Sequence, residues 1–178
     1  MQFFIGITPP EEIQEKIISF QRSFVNNGLP NCVEPHVTVK SQGGLTDDRA
    51  WLSRVEEAAK NIKPFQISFE GAGSFGEDVI FLKPAEPQEI VALHKALFNA
   101  VVPFEDPTNK YFENDRYYPH MTLGGLKWGL TKEAAFEMKE KAQQEFGNLP
   151  AFEINSIRIY QENTENKWNK MLDIPLGE

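Results

Sequence analysis

Two copies of one short motif hold the side chains of this sequence that are best suited to acid–base chemistry. Pro35-His36-Val37-Thr38 and Pro119-His120-Met121-Thr122 share the pattern P-H-x-T, and together they hold two of the three histidines in the chain. Imidazole has the side-chain pKa nearest neutrality, so one histidine can accept a proton while another donates one at the same pH. Such a pair suits displacement at a phosphate, where the attacking oxygen loses a proton and the leaving oxygen gains one.

The residues around each motif alternate between apolar and polar, which predicts a half-buried strand. On a strand, a histidine and the threonine two positions later project from the same face. If two such strands face one cleft, His36 and His120 can act as acid and base on one phosphate. Thr38 and Thr122 would donate hydrogen bonds to its non-bridging oxygens, where charge develops. The motifs are nearly equal and leave open which histidine is the base.

The sequence that follows each motif repeats as well. A Gly-Leu-Thr triplet begins at Gly44 and again at Gly129, and a segment containing Phe-x-Ile follows each triplet, after Pro64 and after Pro150. Amphipathic stretches that predict helices lie between these landmarks, and short apolar runs that predict strands lie beside them. This self-similarity indicates a duplicated unit.

The repeat predicts an α+β fold with two pseudo-symmetric lobes. Each lobe would be an antiparallel sheet backed by helices, and a central cleft would carry the two H-x-T motifs. We expect residues 1–178 to form a single bilobal domain, an internal duplication with approximate repeats 1–83 and 84–178.

Three further side chains near the motifs are candidates for substrate contact. Lys40 lies two positions after Thr38 and is expected on the same strand face, where it could contact the phosphate. The alternative is a solvated lysine at the end of the strand. Arg116 and Tyr118 would project from the same strand face as His120 if that strand begins before Arg116.

Three aromatic residues and the third histidine could serve either the site or the packing of the fold. Tyr117, Tyr118 and Phe112 are candidates for stacking on a base, with core or loop packing as the other role. The third histidine, His94, lies on a predicted helix without a second motif, which favours a surface or boundary position.

Two loops are also predicted. The stretch from Gly71 to Gly76 is rich in glycine but lacks the Lys-Ser/Thr of a phosphate loop, so a hairpin turn is expected. The polar stretch from Pro103 to Arg116 has no clear period and predicts a mobile loop at the cleft mouth.

Composition and charge exclude several classes of protein. The 178 residues include 18 Lys+Arg and 26 Asp+Glu, for a net charge of −8, which argues against binding long duplex nucleic acid but permits a small phosphate substrate. The single cysteine, Cys32, excludes an internal disulfide, and two histidines without a third ligand do not form a zinc site. We expect no metal and no cofactor. No apolar run approaches the ~18 residues of a membrane span, and no signal peptide is evident, so a cytoplasmic protein without membrane contact is expected, with a monomer favoured.

On its two P-H-x-T motifs, the chain resembles the two-histidine (2H) phosphoesterase superfamily. Within that superfamily it is most similar to the 2′-5′ RNA ligase-like branch of RNA 2′,3′-cyclic phosphodiesterases. Pro119 to Leu123 is a full match, whereas the first motif has Val37 where that branch most often has Leu. The strand from Phe3 to Ile7 that leads into Pro9 is also similar to the start of that group. The resemblance implies a metal-independent phosphodiesterase that opens a 2′,3′-cyclic phosphate of RNA ends or small nucleotides by histidine acid–base catalysis, with a role in RNA processing. It also implies reversible 2′-5′ ligation in some relatives.

Two other functions remain as alternatives to a 2′,3′-cyclic phosphodiesterase. One is hydrolysis of another cyclic nucleotide, such as a cyclic dinucleotide or an ADP-ribose cyclic phosphate. The other is a non-catalytic module that binds RNA ends or nucleotides. The presence of both histidines and both threonines favours an enzyme, because a binding module has no need of two proton-transfer groups. The expected partners are RNA 3′ ends or small nucleotides with a cyclic phosphate.

Overall fold

The short apolar runs of the sequence become strands, and its amphipathic stretches become helices that pack on them. A computed structural model describes residues 1–104 and 111–177. Its strands are β1 (Phe3–Ile7), β2 (Val37–Lys40), β3 (Phe65–Ile67), β4 (Phe69–Phe75), β5 (Val79–Pro84), β6 (Met121–Gly125), β7 (Phe152–Ile154), β8 (Ser156–Thr164) and β9 (Lys167–Pro175). Its α-helices are α1 (Glu11–Arg22), α2 (Leu52–Lys60), α3 (Gln88–Val101) and α4 (Lys132–Phe146).

Seven of the strands form one antiparallel sheet in the order β4-β5-β6-β2-β1-β8-β9. Strands β3 and β7 form a separate antiparallel pair. Helix α3 contacts β2, and helices α1 and α4 contact β6, so the strands of both motifs have helical cover. The predicted α+β class with antiparallel strands is confirmed.

The order of elements occurs twice along the chain. Strand, helix, strand, helix, strand, strand describes residues from Phe3 to Phe75 and again from Val79 to Thr164, with β9 as an addition. The two series exchange strands, because β4 pairs with β5 and β8 pairs with β1. The halves therefore share one continuous sheet and do not form a separate sheet each. Internal duplication with approximate repeats 1–83 and 84–178 stays a prediction, and the observed order starts its second series at β5, a few residues before that boundary.

Helix α4 illustrates how the sequence sets local structure. The Thr131 hydroxyl accepts a hydrogen bond from the Ala134 N–H at 3.1 Å and caps the helix. Its buried stripe packs on the sheet and consists of Ala135, Met138, Ala142 and Phe146.

The glycine-rich stretch is a strand, not the turn we expected. Residues 71–75 belong to β4, and the turn to β5 occupies residues 76–78. A Cβ on Gly73 would lie 2.6 Å from the Phe81 ring, and Gly71 has φ +131° beside the Gln143 side chain. Close approach of neighbouring groups therefore explains glycine at both positions.

The predicted loop from Pro103 to Arg116 is described in part. Its residues 105–110 lie outside the described residues, and 3₁₀ turns form at Val102–Phe104 and Asn114–Arg116. Within the described ranges, no helix has the length and apolar character needed to cross a membrane.

Candidate active site

Strand pairing brings the two motifs side by side at the centre of the large sheet. Val37 of β2 pairs with Met121 of β6 in antiparallel register. In an antiparallel ladder the residues on either side of a paired position also face one another. Each motif histidine therefore lies across from the threonine of the other motif. Both histidines and both threonines are partly buried, whereas Val37 and Met121 point into the core.

Both motif histidines have the same backbone partner, two residues earlier in the chain. Nδ1 of His36 lies 2.8 Å from the Glu34 carbonyl oxygen, and Nδ1 of His120 lies 2.7 Å from that of Tyr118. A carbonyl oxygen can only accept, so Nδ1 must carry the proton and donate. In the neutral ring this leaves Nε2 as the nitrogen that can accept a proton from a substrate or a water.

Each motif histidine packs against two aromatic rings, which come from the next two strands on the outer side of its own strand in the sheet. The ring centroids lie 4.8 Å (Phe4) and 5.4 Å (Tyr160) from His36, and 4.8 Å (Phe75) and 5.2 Å (Phe81) from His120. Strands β1 and β8 supply the first pair, and β4 and β5 supply the second. The sequence analysis did not single out these aromatic residues, because isolated aromatics in predicted strands or in a glycine-rich turn give no sign of a site. Gly6 makes room for the first pair, since a Cβ there would lie 3.2 Å from Tyr160.

Burial favours the neutral form of both imidazoles. It lowers the pKa of His36 to about 4, and the charge of His120 acts in the same direction, while the Glu34 carbonyl and carboxylate oppose the shift. Burial also lowers the pKa of His120, opposed by the hydrogen bond to Tyr118. Burial thus makes the neutral form of both rings the favoured one at pH 7. An anion bound beside either ring would raise the pKa of that ring and favour its protonated form.

An ionic cluster holds the residue that orients His36. The Glu34 carboxylate accepts hydrogen bonds from Arg158 at 2.6 Å and from the Tyr160 hydroxyl at 2.8 Å. Arg158 also makes a two-point contact with Asp173 at 2.6 and 2.9 Å. Sequence reasoning missed these residues, because they come from β8 and β9, far from the first motif. The one available signal was an arginine between two isoleucines of an apolar strand.

A cavity of about 660 Å³ lies beside the second motif. Most of its lining is aromatic, and the lining residues are Thr38, Ser41, Phe75, Tyr111, Phe112, Arg116, Tyr117, Tyr118 and His120. The structure thus brings together residues of both motifs with the predicted contacts Arg116 and Tyr118. His36 and Thr122 do not line this cavity.

The aromatic candidates have different surroundings. Phe112 is 75% exposed and Tyr118 is 50% exposed, so both rings are accessible from the cavity. Tyr117 is partly buried, and its hydroxyl donates to the Thr38 carbonyl at 2.7 Å. Tyr117 therefore has a packing role, whereas the other two have free ring surface.

Lys40 lies inside the protein, which corrects both expectations for this residue. Its side chain is fully buried, and its ammonium donates to both carboxylate oxygens of Glu113 at 2.9 Å. A β-bulge explains the change of direction. Ile5 pairs with Lys40 and Gly6 pairs with Thr38, so β2 has one extra residue and its alternation breaks after Thr38.

His94 is also buried, not at the surface or boundary as expected. Its Nδ1 lies 2.9 Å from the carbonyl oxygen of Val39, the extra residue of the bulge. Its Nε2 accepts a hydrogen bond from the Asn114 N–H at 2.8 Å. The sequence signal was its neighbourhood on α3, between Leu93 and Leu97, which belong to the buried stripe.

Among residues 1–104 and 111–177, no group of three or more His, Cys, Asp or Glu side chains is arranged to hold a metal ion. That the reaction needs no metal ion stays a prediction.

The order of elements occurs twice along the chain, and the two series meet where β2 pairs with β6. The chain belongs to the 2′-5′ RNA ligase superfamily, a group of 2H phosphoesterases, whose family model matches residues 9–166. It is 24% identical over 170 residues to an RNA 2′,3′-cyclic phosphodiesterase of Archaeoglobus fulgidus, and the match covers 90% of each chain.

Solved structures show the same fold. A Thermus thermophilus protein aligns with a TM-score of 0.70 at 18% identity over 100% of both chains. E. coli LigT, crystallised with 3′-AMP, aligns with a TM-score of 0.63 at 15% identity over 99% of this chain and 98% of its own.

Proposed function

We propose that this protein is a metal-independent phosphodiesterase that opens 2′,3′-cyclic phosphates of RNA ends or small nucleotides. His36 and His120 are its acid–base pair, and Thr38 and Thr122 are its phosphate-binding residues. One observation carries the proposal: Val37 pairs with Met121, which sets each motif histidine across from the threonine of the other motif.

The proposed step transfers two protons. Nε2 of the neutral histidine takes a proton from a water molecule as its oxygen attacks phosphorus. The bond from phosphorus to one ribose oxygen breaks, and the protonated histidine donates its proton to that oxygen. The products are a ribose hydroxyl and a phosphate monoester on the neighbouring oxygen. The threonine hydroxyls donate to the non-bridging oxygens as charge develops there.

The cavity beside His120 supports a nucleotide as the substrate. The exposed rings of Tyr118 and Phe112 line it together with Phe75, which is 42% exposed. Any of the bases can stack on such rings, so this contact does not depend on the nucleotide sequence. Arg116 lines the same cavity and adds positive charge beside the anionic substrate. The name of the A. fulgidus relative and the 3′-AMP in the LigT crystal agree with this choice.

A substrate panel in EDTA tests the proposal. Wild type is incubated with 2′,3′-cyclic mononucleotides, oligonucleotides that end in a cyclic phosphate, cyclic dinucleotides and an ADP-ribose cyclic phosphate. We expect ring opening of the first two classes, with kcat lowered about 10²–10⁴-fold in His36→Asn and in His120→Asn. The melting temperature of each variant serves as the control for folding.

Each other outcome counts against the proposal in a defined way. Turnover only of a cyclic dinucleotide or of the ADP-ribose compound favours the alternative hydrolase. Binding without turnover favours the non-catalytic module. Loss of turnover in EDTA that a divalent ion restores contradicts the metal-independent mechanism.

A further inference from the structure

A buried ion pair links the strand of the first motif to the segment that leads into the second. Lys40 is fully buried and Glu113 is 4% exposed. The ammonium also donates to the carbonyls of Gly43 at 2.7 Å and Ser41 at 3.1 Å, and the Glu113 carboxylate accepts the Ser41 N–H at 2.8 Å. Both charged groups are thus supplied with several partners.

Such a pair is weak evidence for a role in stability. Removing two charges from water offsets most of their attraction, and packed apolar side chains of similar volume are often at least as stable. A buried pair does fix the relative position of the segments that carry it, because either partner alone is strongly disfavoured there. The consequence of this ion pair is therefore the fixed position of β2 relative to the segment that leads into the second motif.

His94 makes a second link between the same two segments. It joins the Val39 carbonyl of β2 to the Asn114 N–H, which immediately follows Glu113. A backbone N–H can only donate, so Nε2 of His94 is unprotonated and the ring is neutral. The β2 bulge makes this link available, because the extra residue, Val39, has no partner in the register with β1.

Tyr117 makes a third link. Its ring stacks on His94 with centroids 3.8 Å apart at 11°, and its hydroxyl donates to the Thr38 carbonyl. The residue after it, Tyr118, supplies the carbonyl that accepts from Nδ1 of His120. The three links thus connect the backbone of Thr38, in one motif, to the backbone group that orients the histidine of the other.

We propose that Lys40, His94, Glu113 and Tyr117, here called the buried clamp, are positioning residues that hold His120 in register with Thr38. The inference rests on the proposed function for its kinetic consequence, but the orientation of His120 can be measured without activity. None of the four residues needs to touch the reacting atoms. A displacement of about 1 Å in a group that transfers a proton is enough to reduce turnover about 10²-fold.

Two variants test the clamp. Lys40→Met combined with Glu113→Gln removes both charges while keeping the side-chain lengths similar, and Tyr117→Phe removes a single hydroxyl. The control is Ile154→Val or Ile154→Ala in β7, whichever matches the loss of melting temperature. Ile154 is buried in the core and lies in the separate two-stranded sheet.

The readouts are kcat, KM and the ¹⁵N-edited imidazole spectrum. We expect kcat to fall about 10–100-fold in the charge-free variant and about 3–10-fold in Tyr117→Phe, with Ile154 variants within twofold of wild type. The His120 imidazole signals should shift or broaden in the clamp variants, while those of His36 keep their positions.

The outcomes separate this inference from the proposed function. If wild type turns over no substrate, the proposed function fails, and the His120 spectrum still tests the clamp. Unchanged His120 signals and unchanged kcat in folded clamp variants overturn the inference, as does a loss of kcat that the matched Ile154 variant shares. If the charge-free variant does not fold, Tyr117→Phe decides by the same criteria.

Discussion

Thr38 and His120, which belong to different copies of the motif, line the same cavity. The antiparallel pairing of β2 and β6 brings them together, so each half of the chain supplies part of one site. A phosphate bound there would contact a hydroxyl from one motif and an imidazole from the other. The site therefore depends on how the two strands are joined.

Removal of either threonine hydroxyl should reduce turnover less than removal of a histidine. We expect Thr38→Val and Thr122→Val to lower kcat about 10–10³-fold, because each hydroxyl is one of several donors to the developing charge. Valine keeps the branched shape, so the melting temperature should stay near that of wild type. Steady-state kinetics check this, with Thr164→Val at the exposed end of β8 as the matched control. Full activity of either motif variant would remove that threonine from the site.

Acid should destabilise the fold in a window set by the histidines. The folded protein has a lowered pKa for each of them, to about 4 for His36, so below pH 6.5 the unfolded chain binds more protons than the folded chain. Stability is thus full above pH 6.5 and falls as the pH decreases to about 4, by about 3 kcal/mol for His36. Asp173 contributes at lower pH, because Arg158 lowers its pKa below 3.8.

Denaturant unfolding at a series of pH values measures this dependence. We expect His36→Asn to flatten the slope of the unfolding free energy between pH 6.5 and 4 relative to wild type. Equal slopes for the two proteins would show that His36 is not held neutral by burial.

Anion binding should take up a proton. An anion beside the histidines raises a pKa that burial has lowered, so affinity should increase as the pH falls from 7 to 5. Sulfate is the suitable probe, because its charge is constant in this range. We expect its affinity to rise by up to roughly tenfold per pH unit for one proton taken up. Calorimetry in buffers of different ionisation enthalpy counts the proton directly, and an affinity independent of pH would contradict the prediction.

The repeated motif and the pattern of strands and helices were accessible from the sequence, because they depend on local alternation and on residue identity. The helix that follows the Gly-Leu-Thr triplet at Gly129 is of this kind. The joining of both halves in one sheet was not accessible, because pairing between β8 and β1 or between β4 and β5 is a long-range choice.

The errors around the site also have physical reasons. Strand parity placed Lys40 beside Thr38, but one extra residue in β2 reverses the faces, and no local pattern marks a bulge. His94 was read by its lack of a partner motif, whereas its position within a buried helix stripe determines its burial. Glu34 and Arg158 meet only in the folded chain, since they lie on separate segments.

The aromatic wall of the cavity should act through the base of the substrate. Tyr118→Leu removes an exposed ring, and base stacking contributes about 1–3 kcal/mol, so KM for a nucleoside 2′,3′-cyclic phosphate should rise about tenfold or more. The backbone carbonyl that orients His120 is retained in this variant. The same substitution should leave KM unchanged for a base-free methyl riboside 2′,3′-cyclic phosphate. An equal effect on both substrates would contradict stacking as the cause.

The most direct test of the central claim is the distance between the two histidines around one phosphate. A crystal structure with a bound nucleoside 2′-phosphate or 3′-phosphate would measure the separation of the Nε2 atoms of His36 and His120. We predict that both lie within about 3 Å of oxygens of the same phosphate, and therefore roughly 5–8 Å apart. A separation beyond about 12 Å, with the phosphate in contact with one histidine alone, would contradict acid–base catalysis by this pair.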